Sequence, residues 1–295
     1  MAAAILYNNR LFRNLYFEPD AFTVDHESGG AATDCGILNL FDENVGTCFK
    51  IDVKQGQAST TIAWKHGGDA HLNGFGIYGH NLRWNQGIKV EITHTLNPDS
   101  DPEEEPEDWN TFTDTGIHYP PDNLRKPFAV KGGQYRTEMV RITTVNWDAD
   151  SYISIMSMGL WLSEDVNLAA PFVPPTFQPI ESIVKRNNQG RNLPSVIKKV
   201  PQKLKINLIN FTEEKMVNTD YTRKYGWGFA RSLMFSISYL PFFFMYNDNE
   251  QFGTTEQNSG QDRVWYCSID GVIKQPRYKS PTLIDWKIDA IGYLE

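Results

Sequence analysis

The chain has 295 residues, of which 40% are hydrophobic and 13% aromatic, and its formal net charge is −8. This length allows one large domain or two ordinary ones with a hydrophobic core, and the acidic balance argues against a dedicated nucleic-acid-binding protein. No stretch of about 18 apolar residues is present, so the sequence predicts no insertion into a membrane. The first seven residues lack the basic leader and the full apolar core of a secretory signal.

The three cysteines, Cys35, Cys48 and Cys267, form no Cys-x-x-Cys pair. An odd count argues against a disulfide framework, and three cysteines exclude a four-cysteine zinc site. We therefore expect synthesis in a reducing cytoplasm.

Strands are predicted wherever a β-branched or aromatic run is bounded by Gly, Asn, Asp or Pro. In the first part of the chain these runs lie near 47–53, 59–65, 72–78, 87–95, 127–131, 135–145 and 151–163. Between them, residues 99–108 combine two prolines with a run of acidic residues, which predicts an exposed loop. Calcium binding is an alternative there, although the run lacks the glycine turn and the ligand spacing of a calcium loop.

Four prolines in residues 171–179 predict a stiff connector, because proline cannot donate to a strand ladder or continue a helix. After it, strands are predicted near 203–211, 230–246, 263–269 and 283–293. The last of these alternates so that Asp285, Lys287 and Asp289 should share one face. No segment shows helical periodicity over three turns, although Thr212–Met216 could open one short helix. The predicted fold class is all-β, with two β-sandwich domains.

The connector divides the chain into a first domain at 1–165, a proline-rich linker at 166–180 and a second domain at 181–295. Residues 1–165 carry 12 Lys and Arg against 24 Asp and Glu, a net charge of −12. Residues 166–295 carry 16 against 12, a net charge of +4. Opposite signs favour modules that face different neighbours, or copies that dock head to tail. Two solvated surfaces of unlike composition explain the same counts equally well.

The sequence contains no signature of catalysis: no G-x-S-x-G, no P-loop, no G-x-G-x-x-G after a strand and no H-E-x-x-H. We therefore predict a protein that is not an enzyme, with no catalytic residue, no metal ligand and no cofactor. His66 and His71, with Asp69 between them, offer metal ligands, but their spacing fits a surface loop at least as well. Asp148 and Asp150 offer calcium ligands, and a turn between strands explains them equally well.

The run Gly79-His80-Asn81-Leu82 closes the predicted strand 72–78 and precedes the next strand. Side-chain hydrogen bonds from His80 and Asn81 to the loop backbone are expected to fix the strand exit there. A strand that ends in this tetrapeptide, followed by a strand of alternating character, resembles the discoidin-like (galactose-binding-like) jelly rolls of tailed-phage virion proteins. The resemblance implies that residues 1–165 form a jelly roll of this kind.

Surface aromatic residues are the second candidate feature. Jelly rolls that bind sugars stack a Trp or Tyr ring on a pyranose face at the loop end of the sandwich. Trp84, just after the tetrapeptide, and Trp147 are the candidates for glycan contact, although most tryptophans of a β-sandwich lie in its core.

The most hydrophobic run of the chain lies in its second half and is interrupted by Pro241. Its aromatic residues either line the second sandwich or face a neighbouring subunit. We predict an assembly interface made of Leu240, Pro241, Phe242, Phe243, Phe244 and Tyr246. With Val264–Cys267 and Ile284–Ile288, this run makes residues 181–295 similar to the terminal β-sandwich of phage virion proteins.

The two resemblances together imply a non-enzymatic virion structural protein, a tail, neck or baseplate component that is assembled in the host cytoplasm. Its partners would be other virion proteins and further copies of itself, in a ring or a trimer. The alternative is a carbohydrate- or receptor-binding module that acts in host adsorption and takes a host-surface glycan as its partner. A glycan-active enzyme fragment is a third hypothesis, and the absence of a carboxylate pair at strand ends argues against it.

Overall fold

The structure is a computed structural model that describes residues 3–8, 25–26, 35–51, 61–93, 109–111, 116–120, 127–162, 167–169, 180–183, 196–199, 202–212, 229–246, 264–280 and 283–293. The acidic segment 99–108, residues 213–216 of the predicted short helix and most of the predicted proline connector lie outside the described residues.

Almost all described regular structure is β-strand. The strands are β1 (Ala3–Asn8), β2 (Asp25–His26), β3 (Thr61–His80), β4 (Gly87–Thr93), β5 (Trp109–Thr111), β6 (Ile117–His118), β7 (Phe128–Val145), β8 (Ile153–Leu162), β9 (Asn167–Leu168), β10 (Ile180–Ile183), β11 (Val196–Lys199), β12 (Gln202–Thr212), β13 (Phe242–Tyr246), β14 (Val264–Ile269), β15 (Arg277–Tyr278) and β16 (Leu283–Tyr293). A 3-10 helix spans Ile37–Leu40, and the α-helix α1 spans Phe229–Tyr239. The predicted all-β, β-sandwich class is confirmed.

Fourteen of these strands form one antiparallel sheet in the spatial order β5-β4-β7-β3-β8-β1-β13-β14-β16-β12-β9, with β2, β6 and β15 added at its sides. Strand β1 lies where the two halves of the chain meet. It pairs with β8 through Ile5↔Leu162 and with β13 through Ile5↔Phe244. Strand β9, from the predicted linker, pairs with β12 through Leu208↔Leu168.

The core consists of two buried clusters and a third that joins them. The first gathers residues of β3, β4, β7 and β8, and the second gathers residues of β12, β13, β14, β16 and α1. The third contains Leu6, Tyr78, Phe243 and Tyr266, and the two tyrosine rings stack with their centroids 4.3 Å apart. The halves therefore share a strand and a buried cluster, and the separate folding of 1–165 and 181–295 stays a prediction.

Strand β16 shows how the sequence pattern sets the packing. Its apolar side chains Ile284, Trp286, Ile288 and Ala290 are buried, while the residues between them are half-buried or exposed. Because successive side chains of a strand point to opposite faces, this alternation places one face on the core. The prediction that Asp285, Lys287 and Asp289 share the other face is confirmed.

The predicted strand 230–246 is wrong over its first part, where the chain forms α1. The buried residues Leu233, Ser236, Ile237 and Leu240 recur at the three- and four-residue spacing of a helix face. Pro241 then follows the helix, as expected of a residue that cannot continue one. The predicted strand 47–53 is also wrong over its described part, 47–51, which forms isolated bridges such as Phe49↔Ile153 and no strand.

The predicted assembly interface is not an exposed strip on this chain. Strand β13 is hydrogen-bonded on both edges, to β1 and to β14. Most of the interface residues are buried, including Leu240 and Tyr246, and Phe242, Phe243 and Phe244 have no exposed surface. Pro241 is half-buried, between the helix and the strand. Phe242, Phe244 and Tyr246 belong to the second cluster, and Phe243 belongs to the cluster that joins the halves, so these aromatic side chains pack inside the chain.

Candidate functional site

The exit of β3 is built around the buried ring of His80. Leu82 N donates a hydrogen bond to His80 Nδ1 at 3.2 Å, and the ring meets the Phe128 ring edge-on at a centroid distance of 5.3 Å. Gly79 has a φ of +68°, the left-handed region that favours glycine, and a Cβ there would approach the Ser154 Cβ to 3.0 Å. The tetrapeptide is therefore a tightly held turn at the end of the strand.

Asn81 connects this turn to the entrance of β8. Its Nδ2 donates to Asp150 O at 2.7 Å, and its Oδ1 accepts from Tyr152 N at 2.8 Å. The Asn81 side chain thus ties the turn to backbone groups about 70 residues further along the chain. The structural interpretation of His80 and Asn81 requires contacts of this kind.

Trp84 occupies a central position of the β-turn that follows. Gln86 N donates to Arg83 O at 2.8 Å, and Arg83 N donates back to Gln86 Oε1 at 2.9 Å. This pair of bonds closes the turn at both ends, and 65% of the Trp84 surface is exposed. The turn therefore carries a large aromatic side chain outward on a fixed backbone.

A buried polar cluster holds the turn against the loop between β7 and β8. Gln86 is 4% exposed, and its Nε2 donates to Asp148 Oδ2 at 3.1 Å and to Ser151 Oγ at 3.0 Å. Ser151 Oγ donates to Asp148 Oδ1 at 2.7 Å and accepts from Asp148 N at 3.0 Å. Rotation of Gln86 would leave these groups unsatisfied, so the cluster fixes the turn in place.

Asp148 supplies a charged group at the edge of this cluster. The hydrogen bond from Ser151 lowers the pKa of Asp148, and the bond from Gln86 and the charge of Arg83 add to that effect against the opposing influence of burial. Arg83 Nη1 lies 3.7 Å from Asp148 Oδ2, and both side chains remain largely accessible, at 66% and 44%. The turn and the loop that it contacts thus present an accessible guanidinium and an accessible carboxylate.

The two candidate tryptophans differ in their surroundings. Trp147 is 2% exposed, its Nε1 donates to Gly87 O at 2.8 Å, and its ring packs against Phe49 at 6.0 Å. Its burial removes Trp147 from the candidates for glycan contact. The residue before it, Asn146, has a φ of +57°. Its Nδ2 donates to Asn85 O at 3.2 Å, and this hydrogen bond further fixes the turn of Trp84.

Chemically, the turn offers a flat apolar ring and hydrogen-bond donors, and the loop bonded to it offers an acceptor carboxylate. It offers no paired carboxylates and no nucleophile with a base among the contacts described here. Sequence reasoning found Trp84 and read Asp148 and Asp150 as a turn or as calcium ligands. It missed Gln86 and Ser151, because the bonds from Gln86 to Asp148 and Ser151 join residues more than 60 positions apart along the chain.

Metal binding has no support in the described part of the chain. No group of three or more His, Cys, Asp or Glu there could hold a metal ion. Residues 66–69 lie at an irregularity within β3 rather than in a loop between strands. The side chains of His66 and His71 lie outside the description. No described helix is long and apolar enough to cross a membrane.

No protein-family model matches the chain, and no curated protein sequence does. Solved structures that resemble part of it include a Ruminococcus gnavus GH29 fucosidase in complex with fucose, with 16% identity over 48% of this chain and a TM-score of 0.33. The chain spans about a quarter of the fucosidase structures that it matches, 25% in this case.

Two smaller proteins match over most of their own length. A pectin-binding carbohydrate-binding module has 8% identity over 47% of this chain and 89% of its own, with a TM-score of 0.34. The module CpGH89CBM32-5 from Clostridium perfringens, in complex with GalNAc-β-1,3-galactose, has 9% identity over 48% of this chain and 96% of its own, with a TM-score of 0.35. Likeness at these values carries no functional argument, and the role in a virion stays a prediction from the sequence.

Proposed function

We propose that the chain is a carbohydrate-binding module and that the Trp84 turn is its binding site. The observation that supports this proposal is the 65% exposure of Trp84 on a turn that hydrogen bonds hold at both ends. Single exposed aromatic residues are common on protein surfaces, so the feature that distinguishes Trp84 is the hydrogen-bonded turn that fixes its backbone.

The chemistry of a sugar fits this site. One face of a pyranose carries C–H groups, and these stack on an aromatic ring and bury apolar surface on both partners. The hydroxyl groups around the ring both donate and accept hydrogen bonds. Arg83 can donate to them, and the Asp148 carboxylate can accept from them. Arg83 precedes Trp84 in the chain, and its guanidinium lies 3.7 Å from the Asp148 carboxylate.

Rigidity favours binding of a flexible, polar ligand. Ordering a loop on binding lowers affinity, and this turn is ordered before a ligand arrives by Gln86, Asn146 and the backbone bond across it. The site contains one exposed aromatic ring, so we expect it to recognise one or two sugar units.

The direct experiment is affinity electrophoresis of the chain through gels that contain soluble polysaccharides, followed by calorimetric titration of each glycan that retards it. Trp84→Ala should weaken binding by about 2 kcal/mol or more, roughly 30-fold in Kd, as expected for a central aromatic anchor. Trp84→Phe keeps a ring and should retain part of the affinity.

Tyr278→Ala is the matched control. Tyr278 is 63% exposed, like Trp84, but it lies in β15 on the other half of the sheet. Its loss should leave glycan affinity unchanged. The proposal fails if no glycan binds, or if a glycan binds and Trp84→Ala leaves its Kd at the wild-type value. Retention by a protein partner that depends on Trp84 would assign the ring to a protein interface instead.

Where such a module acts is a separate matter. The sequence resemblance predicts a structural role in a virion, with host adsorption as the alternative. Glycan binding by the Trp84 turn is compatible with both. The lack of enzymatic activity stays a prediction from the sequence, because the electrophoresis and the titration measure binding.

A further inference from the structure

The fold brings two cysteines together that the sequence leaves 13 residues apart. The Sγ atoms of Cys35 and Cys48 lie 3.4 Å from each other, and both side chains are half-buried. We propose that these thiols are an oxidation site, and that they close an intramolecular disulfide which cross-links residues 35–48 and stabilises the fold outside a reducing compartment.

Hydrogen bonds hold the backbone at both cysteines. Lys50 N donates to Cys35 O at 3.2 Å, and Asn39 Nδ2 donates to Cys48 O at 2.9 Å. The residue after Cys48, Phe49, exchanges two backbone bonds with Ile153, of 2.7 and 3.2 Å. The sulfur atoms must approach by roughly 1.4 Å to reach the bond length of about 2.05 Å, and rotation about the Cα–Cβ bonds can supply this movement.

The oxidant is a small-molecule disulfide such as glutathione disulfide. The thiolate of one cysteine attacks a sulfur of the oxidant, a mixed disulfide forms and one glutathione thiolate leaves. The second cysteine, as thiolate, then attacks the protein sulfur of the mixed disulfide and releases the second glutathione. The protein loses two electrons and two protons, and one glutathione disulfide becomes two glutathione molecules.

Two features of the site set how this reaction should proceed. Burial raises the pKa of Cys48, and its hydrogen bond with Cys35 raises it further. Because the thiolate is the attacking species, closure should become faster as the pH rises above neutrality. Cys267 has no exposed surface in β14, so it should stay reduced in the folded protein and serve as an internal control.

The experiment treats the full chain with glutathione disulfide, blocks the remaining thiols after unfolding, and maps the peptides without reduction. We expect a Cys35–Cys48 linked peptide, an unlinked and blocked Cys267, and a protein mass lower by two hydrogen atoms. A cross-link of this loop length should raise the Tm by roughly 5 °C, and the rise should disappear in reductant. Cys35→Ser and Cys48→Ser should each show no response of the Tm to the oxidant.

Separate glutathione adducts on Cys35 and Cys48, or disulfide-linked dimers, would overturn the proposal, and so would a linked peptide without any rise in Tm. The peptide map needs only the wild-type chain, so its result does not depend on whether a serine variant folds. None of these results depends on glycan binding at Trp84.

Discussion

Gly76 of β3 packs directly on the ring of Phe243 in β13, at the contact between the two halves of the chain. A Cβ on Gly76 would lie 2.6, 2.7 and 2.8 Å from the Cδ2, Cε2 and Cγ atoms of that ring. Phe243 is fully buried and its ring lies 5.2 Å from that of Tyr266, so it has little room to turn away. Gly76→Ala should therefore force the ring or a strand to move.

The cost follows from the size of this clash. Ordinary carbon–carbon contacts are about 3.5–4.0 Å, so the ring must retreat by roughly 1 Å. Adding a methyl group to a packed core costs about 1–3 kcal/mol. For a protein of a few hundred residues each kcal/mol lowers the Tm by about 2–4 °C, so we expect Gly76→Ala to lower the Tm by roughly 3–10 °C.

Differential scanning calorimetry measures this change, with Gly36→Ala as the matched control. A Cβ on Gly36 has no atom within 4 Å, so that substitution should leave the Tm nearly unchanged. Phe243→Leu removes ring atoms from the clash, and its cost should be smaller in the Gly76→Ala background than alone, a coupling of about 0.5–3 kcal/mol. Equal Tm values for Gly76→Ala and Gly36→Ala would refute the packing of β3 on β13.

Three further predictions concern buried polar groups. Burial lowers the pKa of His118 to about 4 from its ordinary 6.5, so between these pH values the unfolded chain binds a proton that the folded chain does not. The free energy of unfolding should therefore fall by about 3 kcal/mol as the pH drops from 6.5 to 4. Urea titrations at several pH values should show that His118→Gln removes this pH dependence. Arg141 Nε donates to the buried Glu91 at 2.8 Å, and Lys89 Nζ lies 2.6 Å from the other carboxylate oxygen. Because Lys89 still pairs with Glu91, Arg141→Ala should cost about 1.5–3 kcal/mol in urea unfolding, the range of one hydrogen bond to a charged group. Adding Glu91→Leu should recover part of that cost. Asn81→Ala removes the bonds to the β8 entrance and should lower the free energy of unfolding by about 1–3 kcal/mol, with hydrogen exchange at Tyr152 N rising as the check.

The sequence predicted the strands well where alternation or β-branched runs were long. Strands β4, β8, β14 and β16 lie within a few residues of their predicted bounds, because each carries its own buried face. The helix α1 was predicted as a strand, since Phe, Ile and Tyr are common in strands and a strand begins soon after the helix ends. Its packing on the second cluster shows that Leu233 and Ile237, four residues apart, share a helix face.

The candidate site was predictable only in part. Trp84 was found from its place after the tetrapeptide, but exposure separates it from Trp147, and exposure depends on tertiary contacts that no local pattern encodes. The Gln86–Asp148–Ser151 cluster and the Cys35–Cys48 pair both depend on loops that meet in space. The position of β1 between the halves is likewise non-local, since its six residues pair with strands about 150 and 240 residues further along.

The proposed carbohydrate site is tested most directly by fluorine NMR of the chain labelled with 5-fluorotryptophan, with Trp84→Phe used to assign the Trp84 signal. During titration with a glycan that retards the chain in affinity gels, the Trp84 signal should shift in a saturable way, because the sugar covers its exposed ring. The signal of Trp147, which is buried, should stay in place. Saturable glycan binding with an unmoved Trp84 signal would contradict the account.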